Sequence, residues 1–260
     1  MTDADYPILE YDDSPEALIE PSRLIAPIDI PRHCVLCFFQ EVITALRERG
    51  LLRPVYELDS EMGPNPVYAL DVGGREVALM HPGVGAPLAA AFMDELIALG
   101  CRQFVACGGA GVLDRALVVG HVVVPTSAVR DEGASYHYLP PSREVAPSAE
   151  AVAAIEATLA RHGVAYVTGK TWTTDAFYRE TTGRIARRKA EGCITVEMEA
   201  AAFFAVARFR AAQFRGVAAG QILYGGDDVS GDAWDSREWR GRSSLREQLV
   251  WLAAEACLML

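Results

Sequence analysis

Glu197 and Glu199 are the residues whose type and spacing most directly invite chemistry in this chain. They straddle Met198, follow the β-branched run Ile194-Thr195-Val196, and precede an alanine-rich stretch from Ala200 to about Phe209 that reads as a helix. Helix N-termini are electropositive and favour acids, so two acids capping a helix is the plain structural reading. Carboxylates at i and i+2 do not point the same way on a helix, so each is expected to serve its own partner. One acid at a strand-to-helix junction, aimed into a crevice, can accept hydrogen bonds from a pair of vicinal hydroxyls.

Four other segments carry unusual residues where strands are expected to end, the place where α/β sheets put their ligands. Gly83-Val84-Gly85 precedes a helical run, and Gly108-Gly109-Ala110-Gly111 follows an apolar one. Either can offer backbone N–H groups to an anion, or be a tight turn that lets a helix pack closely. Neither completes a dinucleotide fingerprint, because Leu88 and Asp114 stand where the third glycine belongs. Thr173-Thr174-Asp175-Ala176-Phe177-Tyr178 gathers hydroxyls, a carboxylate and two rings; Asp175 reads as a helix cap or a ligand, Phe177 as a stacking ring or core. Gly225-Gly226-Asp227-Asp228 places adjacent acids after a strand, either in a solvated turn or in use. His81, His121, His137 and His162 show no metal spacing, and neither His33 nor a cysteine completes one, so no metal is expected. Ser127 and Ser135 lack a nucleophile elbow.

The elements that must position these residues alternate. Strands are expected at 33–39, 67–72, 76–80, 102–107, 118–125, 164–168, 194–196 and 216–223, and helices at 40–49, 88–99, 149–162, 200–209 and 243–258. A glycine turn at Gly73-Gly74 makes 67–80 a hairpin. Residues 128–147 read as a long loop, and 175–191 as polar and partly helical. The fold class is α/β: one three-layer domain around a mixed sheet at 31–260, preceded by an irregular, proline-punctuated arm at 1–30 containing Asp3, Asp5, Asp12 and Asp13. With 260 residues, 51% of them hydrophobic, the chain can bury one large core. A net charge of −11 argues against nucleic acid or an anionic membrane as partner. No apolar run reaches membrane-spanning length. Six scattered cysteines in mostly apolar runs, Cys34-Val35-Leu36-Cys37 included, read as buried reduced thiols of a cytoplasmic protein.

In their order along the chain these segments resemble the nucleoside phosphorylase family, which includes uridine phosphorylase, hexameric purine nucleoside phosphorylase and related nucleosidases. The resemblance runs from about Val77 to Asp228. It rests on Gly83-Val84-Gly85-Ala86-Pro87, Gly108-Gly109-Ala110-Gly111, Ala128-Val129-Arg130-Asp131-Glu132-Gly133-Ala134-Ser135, Thr174-Asp175-Ala176-Phe177-Tyr178 and Val196-Glu197-Met198-Glu199-Ala200-Ala201. It implies an α/β/α sandwich with a partly barrel-like sheet and an enzyme that cleaves the N-glycosidic bond of a purine or pyrimidine nucleoside. Glu199 is then the acceptor for the ribose 2′- and 3′-hydroxyls, Met198 packs on the sugar and Glu197 completes the ribose site. Phe177 stacks on the base, with Thr181 and Arg184 as loose candidates for reading it. Asp227, or Asp228 in the alternate alignment, protonates the leaving base.

By the same resemblance Gly85, Gly108 and Gly109 line the pocket for phosphate, the family's default nucleophile and a co-substrate rather than a cofactor. The chain departs from the family there. Ala106 and Gly109 stand where phosphorylases hold an arginine and a Ser or Thr, and Cys37-Phe38-Phe39-Gln40-Glu41-Val42 lacks the glycine and arginine of the first phosphate loop. Either another cation serves, with Arg130, Arg179 and Arg184 as candidates, or water replaces phosphate. A nucleoside-binding protein without catalysis is the rival class. The resemblance also implies a homo-oligomer, a dimer or a trimer of dimers.

Overall fold

The computed structural model describes residues 5–260. The first four residues of the arm, Asp3 among them, lie outside the described residues. The described arm has a 3-10 turn at Pro7–Leu9 and a single helical turn, α1 (Pro21–Leu24), each opened by proline. Hydrogen bonds tie it to the body, one of them from the Gln213 side chain to Pro15 O. Ile28 N donates to Leu99 O at 3.0 Å, and buried Glu20 accepts from Arg210 Nη1 at 2.8 Å.

From Arg32 onward apolar runs and helical periods alternate. Strand β1 (His33–Cys37) and helix α2 (Gln40–Glu48) are followed by β2 (Leu52–Leu58), β3 (Asn65–Val72) and β4 (Arg75–Met80), with the Gly73-Gly74 turn joining the last two. Helix α3 (Ala86–Leu99) ends at Gly100, whose φ of 134° few other residues tolerate. Next come β5 (Gln103–Val112), β6 (Val122–Asp131), β7 (Glu144–Val145), α4 (Ala149–Arg161) and β8 (Tyr166–Thr174). Helix α5 (Thr182–Ala190), β9 (Cys193–Glu197), α6 (Ala200–Arg210), β10 (Ala218–Asp228) and α7 (Ser243–Cys257) complete the chain.

The strands form one mixed sheet in the order β10-β6-β8-β9-β5-β1-β4-β3-β2, with β7 on β6. Strand β10 also pairs with β5, so β5, β9, β8, β6 and β10 close into a five-stranded barrel and the rest continue as an open sheet. Helices α3 and α6 pack one face, burying Phe92, Leu96, Phe203 and Phe204 with Ala106 and Ala219. Helices α2, α4 and α7 cover the other, around Phe39, Leu46, Ile155, Tyr224 and Leu252. This is the expected three-layer α/β arrangement with its partly barrel-like sheet. All six cysteines are buried free thiols. Among the described residues no helix is long and apolar enough to cross a membrane.

Closing the barrel corrects three expectations. The strand at 118–125 begins later and runs through Arg130 to Asp131, where a loop was expected. Gly108-Gly109-Ala110-Gly111 and Gly225-Gly226-Asp227-Asp228 lie inside β5 and β10, not in turns. These glycines admit neighbouring strands. A Cβ on Gly225 would lie 2.9 Å from Val112 Cγ1, and one on Gly111 3.0 Å from Val196 Cγ1. Strand β2 went unread because its burial alternates irregularly around Pro54 and it sits at the sheet edge.

Candidate active site

The strand-to-helix junction at β9–α6 is built around Glu197. Its Oε1 accepts from Thr173 Oγ1 at 2.7 Å, and its Oε2 accepts from the backbone N–H of Glu199 at 2.8 Å and of Ala200 at 2.6 Å. Thr173 in turn accepts from Ala201 N at 3.0 Å. The first N–H groups of α6 are therefore satisfied by Glu197 and Thr173, which is capping from the preceding and neighbouring strands. Glu199 occupies the N-cap position, yet its side chain makes no cap. Its Oε1 accepts instead from Gly85 N at 2.6 Å, bridging to the start of α3. The two acids thus serve different partners, as their spacing requires.

Both carboxylates are buried, at 7% and 5% exposure. Burial pushes Glu197 up to about 7 against the pull of its hydrogen bonds from Thr173, Ala200 and Glu199. It pushes Glu199 up to about 8, with the neighbouring Glu197 charge adding to the rise. Glu199 is the less satisfied of the two, and an ionised Glu199 gains most from any further donor.

Glu197, Met198 and Glu199 line a cavity of about 1140 Å³ over the ends of β5, β9 and β10. That volume holds a ligand of nucleoside size with room to spare. Gly109, Gly111, Phe38, Phe39 and Val84 contribute to its walls, and Phe177, Tyr178, Glu180, Asp227 and Trp234 gather along another part of the lining. Phe177 and Tyr178 rings stand 4.0 Å apart and are half and largely exposed, so Phe177 is not core. Asp227 Oδ2 accepts from Trp234 Nε1 at 2.7 Å. Glu180 is pushed up to about 7 by burial and then by the Asp227 charge, with Arg184 opposing.

Of the other expected site residues Gly109 is in the cavity wall and the rest are not. Asp228 faces Ser230 N, at 2.7 Å from Oδ1, and pairs through Oδ2 with Arg237. It stands outside the cavity lining as a clamp on the segment after β10. Arg130 is buried in the 134–142 segment, donating to Ser135 Oγ at 2.8 Å and to Ser142 Oγ and Pro140 O at 2.7 Å. Arg184 makes a two-pronged pair with Asp131 at 2.8 and 2.9 Å, and Thr181 caps α5. Arg179 is exposed. Gly83 and Gly85 have φ of 78° and 95°, which only glycine adopts readily. Their N–H groups are already given to His81 Nδ1 at 3.1 Å and to Glu199. Gly108 carries the Phe38 ring against its Cα and Gly109 the Tyr224 ring, each 3.1–3.2 Å from where a Cβ would stand.

Sequence reading missed Glu180, Trp234, Gln221 and Arg246, all of which line the cavity. Among the described residues Arg246, from the first turns of α7, is the one guanidinium in that lining. It lies over the Phe39 ring, 4.5 Å from the centroid, and pairs with Glu41 at 2.8 Å. No local sequence signal marks it, since α7 reaches the site only through tertiary packing.

Known proteins resemble the chain in sequence and in fold. A guanosine phosphorylase from Halorubrum lacusprofundi is 27% identical over 77% of this chain and 76% of its own. A uridine phosphorylase from Salmonella typhimurium is 34% identical over 50% of this chain, a stretch spanning just 57% of that protein's length. Two solved structures have the same fold. Uridine phosphorylase from Vibrio fischeri superposes with a TM-score of 0.72 at 23% identity, over 92% of this chain and 96% of its own. AMP nucleosidase from Bacteroides thetaiotaomicron gives 0.70 at 22%, over 88% and 87%. The family profile described as Phosphorylase superfamily matches residues 32–244. With that match covering most of the chain and the barrel-and-sheet architecture in place, the chain belongs to the phosphorylase superfamily.

Proposed function

We propose that this chain is an enzyme that cleaves the N-glycosidic bond of a purine or pyrimidine nucleoside. The observation that carries the reading is Glu199: a buried carboxylate in the cavity wall, held by the backbone N–H of Gly85 and capable of taking two vicinal hydroxyls. Met198 beside it supplies an apolar surface for the sugar. Glu197 acts through Glu199 by fixing the junction, because its own oxygens are fully used.

Phe177 offers a face to the base, and Asp227 protonates it as it leaves. Glycosidic cleavage builds positive charge on the sugar and negative charge on the base. A carboxylate under the ribose and an acid at the base lower the barrier at both ends. Glu180, sharing the same wall and interacting with Asp227, keeps a proton available near neutrality. Exposed Val84, Tyr178 and Trp234 at the cavity suit burial against a second copy, in keeping with a homo-oligomer.

The test is base release from a panel of purine and pyrimidine nucleosides, followed by chromatography. Purine release that falls at least a hundredfold in Asp227→Asn supports the assignment. Tight nucleoside binding with no base released from any member of the panel overturns it in favour of a binding protein.

A further inference from the structure

A nucleophile is also needed, and the cavity contains a group suited to holding one. Gln221 lies on β10 opposite Ala106 of β5 in a parallel register, so the two side chains leave the same face of the sheet. Gln221 is 1% exposed, lines the cavity, and its Oε1 has no hydrogen-bond partner. A buried carboxamide without a partner is costly. One in a cavity wall is completed by whatever binds there.

The chemistry of the surroundings narrows the choice of ligand. A carboxamide presents an acceptor and donors side by side, so its complement both donates and accepts, as water does. A phosphate dianion is essentially all acceptor, and needs cations to offset its desolvation. The strand positions beside it, Ala106 and then Gly108 under the Phe38 ring, carry no charge. Arg246 shares its charge with Glu41 through Nη1, its buried Nε left without a partner, so among the described residues the lining offers a dianion no guanidinium but this one. Burial raises Glu197, Glu199 and Glu180 toward neutrality, so the carboxyls of the same cavity offer an anion no compensating charge.

We propose that Gln221 orients a water molecule as the nucleophile, so that the chain hydrolyses nucleosides. This inference rests on the glycosidic reading above. The C1′–O bond forms as the C1′–N bond breaks, and the bond's electron pair goes to the base nitrogen, which takes its proton from Asp227. The proton shed by the water returns to that carboxyl through solvent. The sum is nucleoside plus water giving free sugar plus base, with no other reactant.

The decisive measurement is the sugar product, identified by NMR from the full chain with and without inorganic phosphate. Free sugar formed at the same rate in both supports water. Sugar 1-phosphate, formed only when phosphate is present, overturns the water assignment and leaves glycosidic cleavage standing. Absence of base release under both conditions overturns both readings. The role of Gln221 is read from Gln221→Leu, which fills the same space without the amide. Its kcat is expected to fall about a hundredfold with KM nearly unchanged and the melting temperature retained. Gln221→Glu, which keeps an acceptor for the water, is expected to recover part of kcat and to acquire a new acidic limb in its pH profile. Wild-type kcat in Gln221→Leu would remove the residue from the mechanism.

Discussion

Glu197 and Glu199 are separated by one residue and differ in every contact they make. Glu197 holds the backbone of its own junction, while Glu199 reaches the start of α3 at Gly85, 114 residues away in sequence. Glu199→Gln should therefore lower kcat/KM by about a hundredfold or more, since it weakens the acceptor for the developing cationic sugar. The fold should survive, because glutamine can still accept the Gly85 N–H, and a thermal melt checks this. With the Glu199 carboxyl pushed up to about 8 and ionisation needed for strong acceptance, wild-type kcat/KM should rise with pH up to about 8. That limb should be absent from Glu199→Gln. The same shift predicts a stability trend. The folded state keeps protons on Glu197 and Glu199 that an unfolded chain gives up near 4.5. The native state thus binds more protons than the unfolded one between roughly pH 4.5 and 8, and ligand-free stability should decline across that window and level off above it. Urea midpoints measured at several pH values test the sign; a rising midpoint would contradict it.

Strands β5 and β10 show what an element does beyond carrying residues. Both continue through glycine segments that resemble turns in sequence, and this continuation closes the barrel and brings Asp227 into the cavity. Gly225 has Val112 Cγ1 and the Val118 carbonyl at its Cα, so Gly225→Ala should destabilise the fold by about 1–3 kcal/mol through overpacking, measurable by urea denaturation. The adjacent acids divide by strand alternation, one toward the cavity and one toward the following segment. Asp228→Asn weakens the pairing with Arg237 that fastens that segment. Limited proteolysis should accordingly cut residues 229–241 faster in this variant, with base release less affected than in Asp227→Asn. The helices were legible because their periods and glycine stops are local, as α3 ending at Gly100 illustrates. The strand ends were not, because whether a glycine run turns or continues depends on which strand lies beside it. Val112 and Val196, which crowd Gly225 and Gly111, are distant in sequence from one of the glycines they meet.

At the scale of the whole molecule, two helix layers bury an open sheet while the barrel gathers chemistry at one end. The arm fastens on the side of α3 and α6, through a cluster of Arg210, Glu20 and Asp94 at 2.6–2.8 Å. Glu20→Ala should release the described arm to protease and lower the melting temperature modestly, because Arg210 keeps its pair with Asp94. The sequence by itself determined the α/β class and the alternation that places ligands over strand ends, and it put Glu197, Met198 and Glu199, the residues proposed for the sugar, together on one short junction. It left open which group stands near Ala106 and Gly109. The tertiary structure alone decided what stands in that space. Arg130 and Arg184 are consumed by Ser135, Ser142 and Asp131, while Gln221 and Arg246 arrive from β10 and α7. The physical reason is that a site drawn from several strand ends depends on which side chains share a cavity and which are already paired, and neither quantity is local in sequence.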